Sequence, residues 1–224
     1  MTATVRTGVL VSFCGIDGSG KTTQLRLLEA WLRAEGSPIH RAKVEWPATS
    51  SMFELAKHET GDWESYESTI PATLREFVIA CDVVGYYRRA IEPVLERGTV
   101  VLWDRSPLCY RAYARAYGAD PQWGDRLYAT IPAPSVTVLL DLSPAVALQR
   151  LIARQTQPIR RDENVELLTR VRNVYRKLSR GRTDIVTIDA SRSASSIAAD
   201  IRELVRPLVG SARSLPQGVC DSPA

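Results

Sequence analysis

Residues Gly15-Ile16-Asp17-Gly18-Ser19-Gly20-Lys21-Thr22 carry glycine, lysine and a hydroxyl at the G-x-x-x-x-G-K-[ST] spacing of a phosphate-gripping loop. Gly15, Gly18 and Gly20 let the main chain turn its N–H groups, with those of Ser19 and Thr23, inward around phosphate oxygens. A helix start directly after the loop adds a dipole that favours anions. Lys21 can reach the outer phosphates, and the Thr22 hydroxyl is suited to ligating Mg²⁺. ATP with Mg²⁺ is the implied ligand. A second chemical pair, Asp104-Arg105, ends the apolar run Val100–Trp103. Asp104 can hold Mg²⁺ or its water shell, and Arg105 can clamp a phosphate with two parallel hydrogen bonds. Glu45 closes another apolar run. By position alone it reads as a solvated strand-end acid.

The elements that must position these groups alternate along the chain. Short Val-, Ile- and Leu-rich runs predict strands at Val9–Cys14, Ile39–Glu45, Thr99–Trp103, Ser135–Leu142 and Asp184–Asp189. Each pair is separated by enough chain for a helical crossover, so the expected fold is α/β, a five-stranded parallel sheet with helices on both faces. Ligands in such sheets sit beyond the C-terminal strand ends, where the loop, Glu45, Asp104-Arg105 and Asp189 all fall. Leu25, Leu28 and Leu32 mark the buried face of the helix after the loop. The longest helical stretch runs from about Glu67 to Arg97, split or kinked near Gly85 and stopped by Gly98.

With 224 residues, 45% of them hydrophobic and 24% charged, the chain is most economically one domain over residues 1–210. Ser-, Pro- and Gly-rich residues 211–224 read as a disordered tail. No apolar run approaches the roughly 20 residues of a spanning helix, and no signal segment opens the chain. The expectation is a cytoplasmic enzyme with no membrane partner. Cys14, Cys81, Cys109 and Cys220 are scattered and histidines number only 2, which argues against zinc and against a disulfide framework. Cys14 and Cys81 read as core packing. The net charge of +4 is uneven: Arg150 to Arg182 holds nine Arg and one Lys against three acids. That stretch is either a nucleic-acid stripe or a lid over phosphates, and the glycine loop favours the lid, at about residues 150–165. No nucleic-acid partner is expected.

Phe13 to Gln24 resembles the thymidylate kinase family pattern F-E-G-x-D-G-x-G-K-T-T-Q, with Cys14 in place of its Glu. Glu96 to Arg105 is similar to that family's path into its Asp-Arg motif, and Ala112-Tyr113 matches the Ala-Tyr that follows. Leu140 to Arg150 looks like the strand leading to the lid helix, and Ile188 to Ser193 resembles the adenine-side loop. The resemblance reaches to about residue 209. It implies a nucleoside monophosphate kinase fold and a homodimer through the long helix. It also implies that Asp17 contacts the acceptor ribose, that Arg105 holds the acceptor phosphate, and that Tyr113 lies near the sugar. Arg150 and Arg154, with Arg160 and Arg161, would serve the lid, and Arg192 the adenine side. Several positions depart from the family: Cys81-Asp82-Val83 replaces Ala-Asp-Arg, and Val44-Glu45-Trp46-Pro47 replaces Arg-Glu-Pro-Gly. Ser106, Cys109 and Tyr110 stand where an aromatic, a Ser and a base-contacting Ser or Asn are usual. Each change removes a polar contact near the acceptor base while the phosphate machinery stays.

Trp46, Trp63, Tyr66, Tyr86, Tyr87, Tyr110, Tyr113 and Tyr117 supply aromatic surface for an acceptor ring, Tyr110 and Tyr113 most directly. Asp104-Arg105-Ser106 and Glu45-Trp46 also resemble the deoxynucleoside kinases, which implies Glu45 as the base for a sugar hydroxyl, a role weighed equally with that of a solvated acid. Three activities follow: phosphoryl transfer from ATP to a nucleotide, most simply dTMP; phosphorylation of a nucleoside or other small-molecule hydroxyl with Glu45 as base; or a nucleotide switch or nucleic-acid-dependent ATPase using the basic segment. The first is the leading expectation, with Lys21, Arg105, Arg150 and Arg154 acting on the transferred group.

Overall fold

The computed structural model describes residues 8–60, 70–154 and 164–213. Five strands form one parallel sheet: β1 (Val9–Gly15), β2 (Ile39–Lys43), β3 (Val100–Asp104), β4 (Val136–Asp141) and β5 (Ile185–Asp189), in the order β2-β3-β1-β4-β5. All five lie within two residues of the expected runs at each end. The register sets Phe13 beside Asp104 and Asp104 beside Lys43, so the C-terminal ends of β1, β3 and β2 share one edge. Side chains alternate across the pleat. Val100 and Leu102 join a core cluster with Leu25, Leu28 and Leu32, whereas Val101 and Trp103 join another with Val83, Tyr87 and Ile91.

Crossover helices carry the chain between strands. α1 (Lys21–Ala34) follows the loop, α2 (Pro47–Thr60) follows β2, and α3 (Ala72–Tyr86) precedes a π-helical turn at Tyr87–Ile91 and the short α4 (Glu92–Glu96). α5 (Pro107–Ala116) and α6 (Pro121–Tyr128) lie between β3 and β4. α7 (Pro144–Ala153) and α8 (Val165–Leu178) precede β5, and α9 (Ala194–Arg213) closes the described chain. The described part of the long helix opens at Ala72 with Pro71 as its N-cap, and the expected start near Glu67 lies outside the described residues. Its irregularity falls at Tyr87–Ile91, just past Gly85. Pro93 explains this, because it has no N–H for the Arg89 carbonyl and its ring crowds that carbonyl. Gly98, at φ +76, ends the stretch as expected. At the other end α9 carries residues 211–213, which the sequence had suggested belong to the tail; residues 214–224 lie outside the described chain.

Candidate active site

The phosphate loop spans the turn from β1 to α1. Gly15, Gly18 and Gly20 sit at φ +142, +80 and +96, where side chains are strained. A Cβ on Gly15 would lie 2.6 Å from the Leu140 carbonyl, and one on Gly18 would collide with the carbonyl of Ala147 on α7. The loop is therefore packed closely at Gly15 and Gly18, and the Ser19 amide closes its turn by donating to the Ile16 carbonyl at 3.1 Å. Lys21 is buried, and its Nζ donates to the carbonyls of Gly15 (3.0 Å) and Ile16 (2.9 Å). Burial, reinforced by the charge of Arg105, pushes the Lys21 ammonium below its ordinary pKa. The buried Ser19 hydroxyl has no hydrogen-bond partner among the described residues. A loop with an orphaned hydroxyl and a desolvated cation has the donor set that phosphate oxygens would complete.

Asp17 is the centre of the polar network. One carboxylate oxygen accepts from the Arg105 guanidinium and lies 3.7 Å from Lys21 Nζ. The other accepts from the Tyr113 hydroxyl at 3.1 Å. Arg105 is the only non-glycine with positive φ among the described residues (+67), and its amide donates to the Phe13 carbonyl at 3.2 Å. That left-handed turn at the end of β3 swings the guanidinium back over β1 toward Asp17. Burial opposes the Arg105 charge, but Asp17 outweighs it and holds the guanidinium protonated. Burial, with the Asp17 charge, pushes the Tyr113 phenol up, so it remains a donor.

Two cavities meet at this network. The larger, about 660 Å³, is lined by the loop from Asp17 to Gln24 and by Arg150, Arg154 and Arg192. The smaller, about 400 Å³, is lined by Trp46, Thr49, Ser50, Phe53, Glu76, Ile79, Tyr110, Tyr113 and Tyr117, among others. Asp17, Lys43, Asp104 and Arg105 line both. The expected residues Gly18, Ser19, Gly20, Lys21, Thr22, Thr23, Asp104, Arg150, Arg154 and Arg192 thus share the first cavity, and Tyr110 and Tyr113 the second. Gly15 lines neither, serving instead as the carbonyl anchor of Lys21.

Glu45 is not brought into the site. Its carboxylate is 70% exposed, pairs with Arg89 at 2.7 Å, and lines neither cavity. Glu45 lies two residues past the end of β2, where its pair with Arg89 holds the carboxylate away from both cavities. Among the aromatics, Trp46 and Tyr110 meet edge to face at 5.6 Å in the second cavity, whereas Tyr86 and Tyr87 are core. Trp63 and Tyr66 lie outside the described residues, as do residues 155–163 of the expected lid, Arg160 and Arg161 among them. The rest of the basic segment includes structural pairs: Arg172 and Arg176 bind Asp141, and Arg182 binds Asp184. Val83, at the position of the missing arginine, is fully buried in the core.

The sequence reading missed three residues. Lys43 ends β2 in register with Asp104; a lone cation at a parallel-strand terminus was the available signal. Glu76 is a buried acid facing the second cavity, held by Arg75 Nε at 3.2 Å, and burial pushes its carboxyl up. A buried Asp82 accepts from the amides of Ala48 (3.1 Å) and Thr49 (2.8 Å), which fixes the start of α2 as a cavity wall. Among the described residues no three His, Cys, Asp or Glu side chains cluster as metal ligands.

The thymidylate kinase family model matches residues 13–201. A probable thymidylate kinase of Pyrobaculum calidifontis is 31% identical over 207 residues, covering 89% of this chain and 96% of that protein. The thymidylate kinase of Leifsonia xyli is 32% identical over 206 residues, covering 89% and 95%. That of Ruegeria pomeroyi is 34% identical over 206 residues, also covering 89% and 95%. With a matching family model, matching relatives along nearly their whole length, and a β2-β3-β1-β4-β5 sheet bearing a phosphate loop, the chain is a nucleotide kinase that belongs to the thymidylate kinase family.

Proposed function

We propose that this chain transfers the γ-phosphoryl group of ATP to dTMP, giving ADP and dTDP. The observation that carries the reading is the meeting of the two cavities at Asp17, Lys43, Asp104 and Arg105, beside the loop. A donor in the first cavity and an acceptor in the second would bring their phosphates together there. Loop amides and Lys21 position the donor. Arg105, held by Asp17, aligns the acceptor phosphate, with Lys43 as a second cation. Arg150 and Arg154 neutralise charge that builds on the transferred group. Thr22 and Asp104 fit Mg²⁺ carried in with the nucleotide, since both line the donor cavity and offer oxygen ligands. The magnesium would supply charge neutralisation between donor phosphates. Asp17 and Tyr113 face the sugar, Trp46 and Tyr110 flank the base, and Arg192 serves the adenine side.

A phosphate acceptor is already an anion and needs no base, which agrees with the position of Glu45 outside the site. The implied homodimer is supported by exposed apolar side chains on neighbouring helices, Leu55 on α2, Leu74 on α3 and Trp123 on α6. The test is an acceptor panel coupled to ADP release. ADP formation above the ATP-only rate with dTMP, and not with thymidine, is the expected result. Turnover with a nucleoside alone would refute the reading.

A further inference from the structure

Two of the departures from the family pattern, 95 residues apart in sequence, touch in space. Cys14, the last residue before the glycine loop, and Cys109, in the first turn of α5, place their sulfurs 2.8 Å apart. Both are buried, at 0% and 1% exposure. Their access differs, however: Cys109 lines the acceptor cavity, whereas Cys14 lies behind it. The Ser106 hydroxyl lies 3.3 Å from the Cys14 sulfur. Burial pushes the Cys14 thiol up. Cys109 goes the other way: burial opposes its thiolate, but Cys14 and then Arg105 outweigh burial and hold it below the ordinary range.

We propose that Cys14 and Cys109 are an oxidisable pair, closed by a peroxide that enters through the empty acceptor cavity, whose closure ties the phosphate loop to the Asp104-Arg105 turn and stops turnover. The Cys109 thiolate attacks one peroxide oxygen. The O–O bond breaks, hydroxide leaves, and Cys109 becomes the sulfenic acid. The Cys14 sulfur then attacks the Cys109 sulfur, and the sulfenic oxygen leaves as water with the thiol proton. Overall, two thiols and one peroxide give one disulfide and two waters. A dithiol reverses it by thiol–disulfide exchange.

The consequence for catalysis follows from what flanks each sulfur. Cys14 precedes Gly15, whose carbonyl anchors Lys21 at 3.0 Å. The Cys109 amide donates at 2.8 Å to the carbonyl of Ser106, the residue after Arg105. A covalent S–S separation is about 2.05 Å. Closing the 2.8 Å contact would therefore draw the loop and the arginine turn together by a substantial fraction of an ångström. Displacements of about 1 Å in a positioned site cost up to about 100-fold in rate, so a loss of roughly tenfold or more is expected.

The experiment uses the full chain with Cys81→Ser and Cys220→Ser, which removes the exposed Cys81 and the Cys220 that lies outside the described residues. Hydrogen peroxide is added with and without dTMP, and samples go to peptide mapping and to turnover measurement before and after dithiothreitol. Expected are a Cys14–Cys109 linked peptide, a parallel loss of turnover, recovery of both states with dithiothreitol, and slower linkage with dTMP present. Adding Cys14→Ser should remove the linkage and make the peroxide lesion poorly reversible, since Cys109 then lacks a partner and advances to the sulfinic acid. Absence of the linked peptide, linkage with unchanged turnover, or equal recovery in the Cys14→Ser protein would each overturn the proposal. The turnover arm rests on the kinase reading and the mapping arm does not. A reduced protein inert toward dTMP indicts that reading, and an active one that never links indicts this proposal.

Discussion

Asp17→Asn is the perturbation that separates charge from shape in this site. The substitution keeps the outline of the side chain and removes the one carboxylate shared by Arg105, Tyr113 and Lys21. For the Lys21 pair at 3.7 Å, an effective dielectric of about 20 gives a gross attraction of about 4 kcal/mol. The Arg105 side chain is 31% exposed, so solvent reduces its share, and the amide still accepts one hydrogen bond. A net loss of about 2–3 kcal/mol in the ligand-free protein follows, a melting temperature lower by roughly 5–10 °C. Bound phosphates would restore the missing negative charge, so saturating MgATP should recover much of the difference. Turnover should not recover. Arg105 loses the carboxylate that aligns its guanidinium, and kcat should fall about 100-fold or more, the scale for losing an aligned charge donor. Thermal unfolding with and without MgATP, alongside kcat and KM for both substrates, reads all three quantities. An unchanged ligand-free melting temperature, or turnover within threefold of the parent, would refute the reasoning.

Other consequences are simpler. Glu45→Gln should leave kcat/KM for dTMP within about twofold, because an exposed ion pair is worth little; a loss above tenfold would return Glu45 to the mechanism. Burial depresses the Lys21 pKa in the empty site, and phosphate should raise it again. Nucleotide binding at alkaline pH should therefore take up protons, measured as a buffer-dependent heat; proton release would contradict the assignment. Partial burial opposes the Asp141 charge, but hydrogen bonds from Arg172 and Arg176 outweigh it and hold its pKa low. That stabilisation is present above the unfolded-state pKa and is lost as pH falls toward the folded-state value. Asp141→Asn should cost about 1–2 kcal/mol in urea unfolding at neutral pH and much less below about pH 3; an equal loss at both would exclude the linkage.

The sheet was legible because each strand is a short apolar run and each crossover a helical repeat, so local pattern and buried environment agree. The phosphate loop was legible because its chemistry is contiguous in sequence. The acceptor cavity was not, since its wall is assembled from α2, α3 and α5, and the pairing of Asp82 with the amides of Ala48 and Thr49 has no local signal. Glu45 misled for a related reason. Its place after β2 suggested the active edge, but it lies two residues beyond the strand and pairs outward with Arg89, and Lys43, the last residue of β2, occupies the junction instead. Cys14 and Cys109 read separately as substitutions, and only the packing of α5 beside β1 makes them a pair.

The central claim, that donor and acceptor phosphates meet at Asp17, Lys43, Asp104 and Arg105, is tested most directly by calorimetry with adenosine and thymidine joined through their 5′ positions by a polyphosphate chain. One molecule per protein chain, bound more tightly than ATP or dTMP and displaced by either, is the predicted result. Binding no tighter than ATP alone, or ATP and dTMP excluding one another, would contradict it.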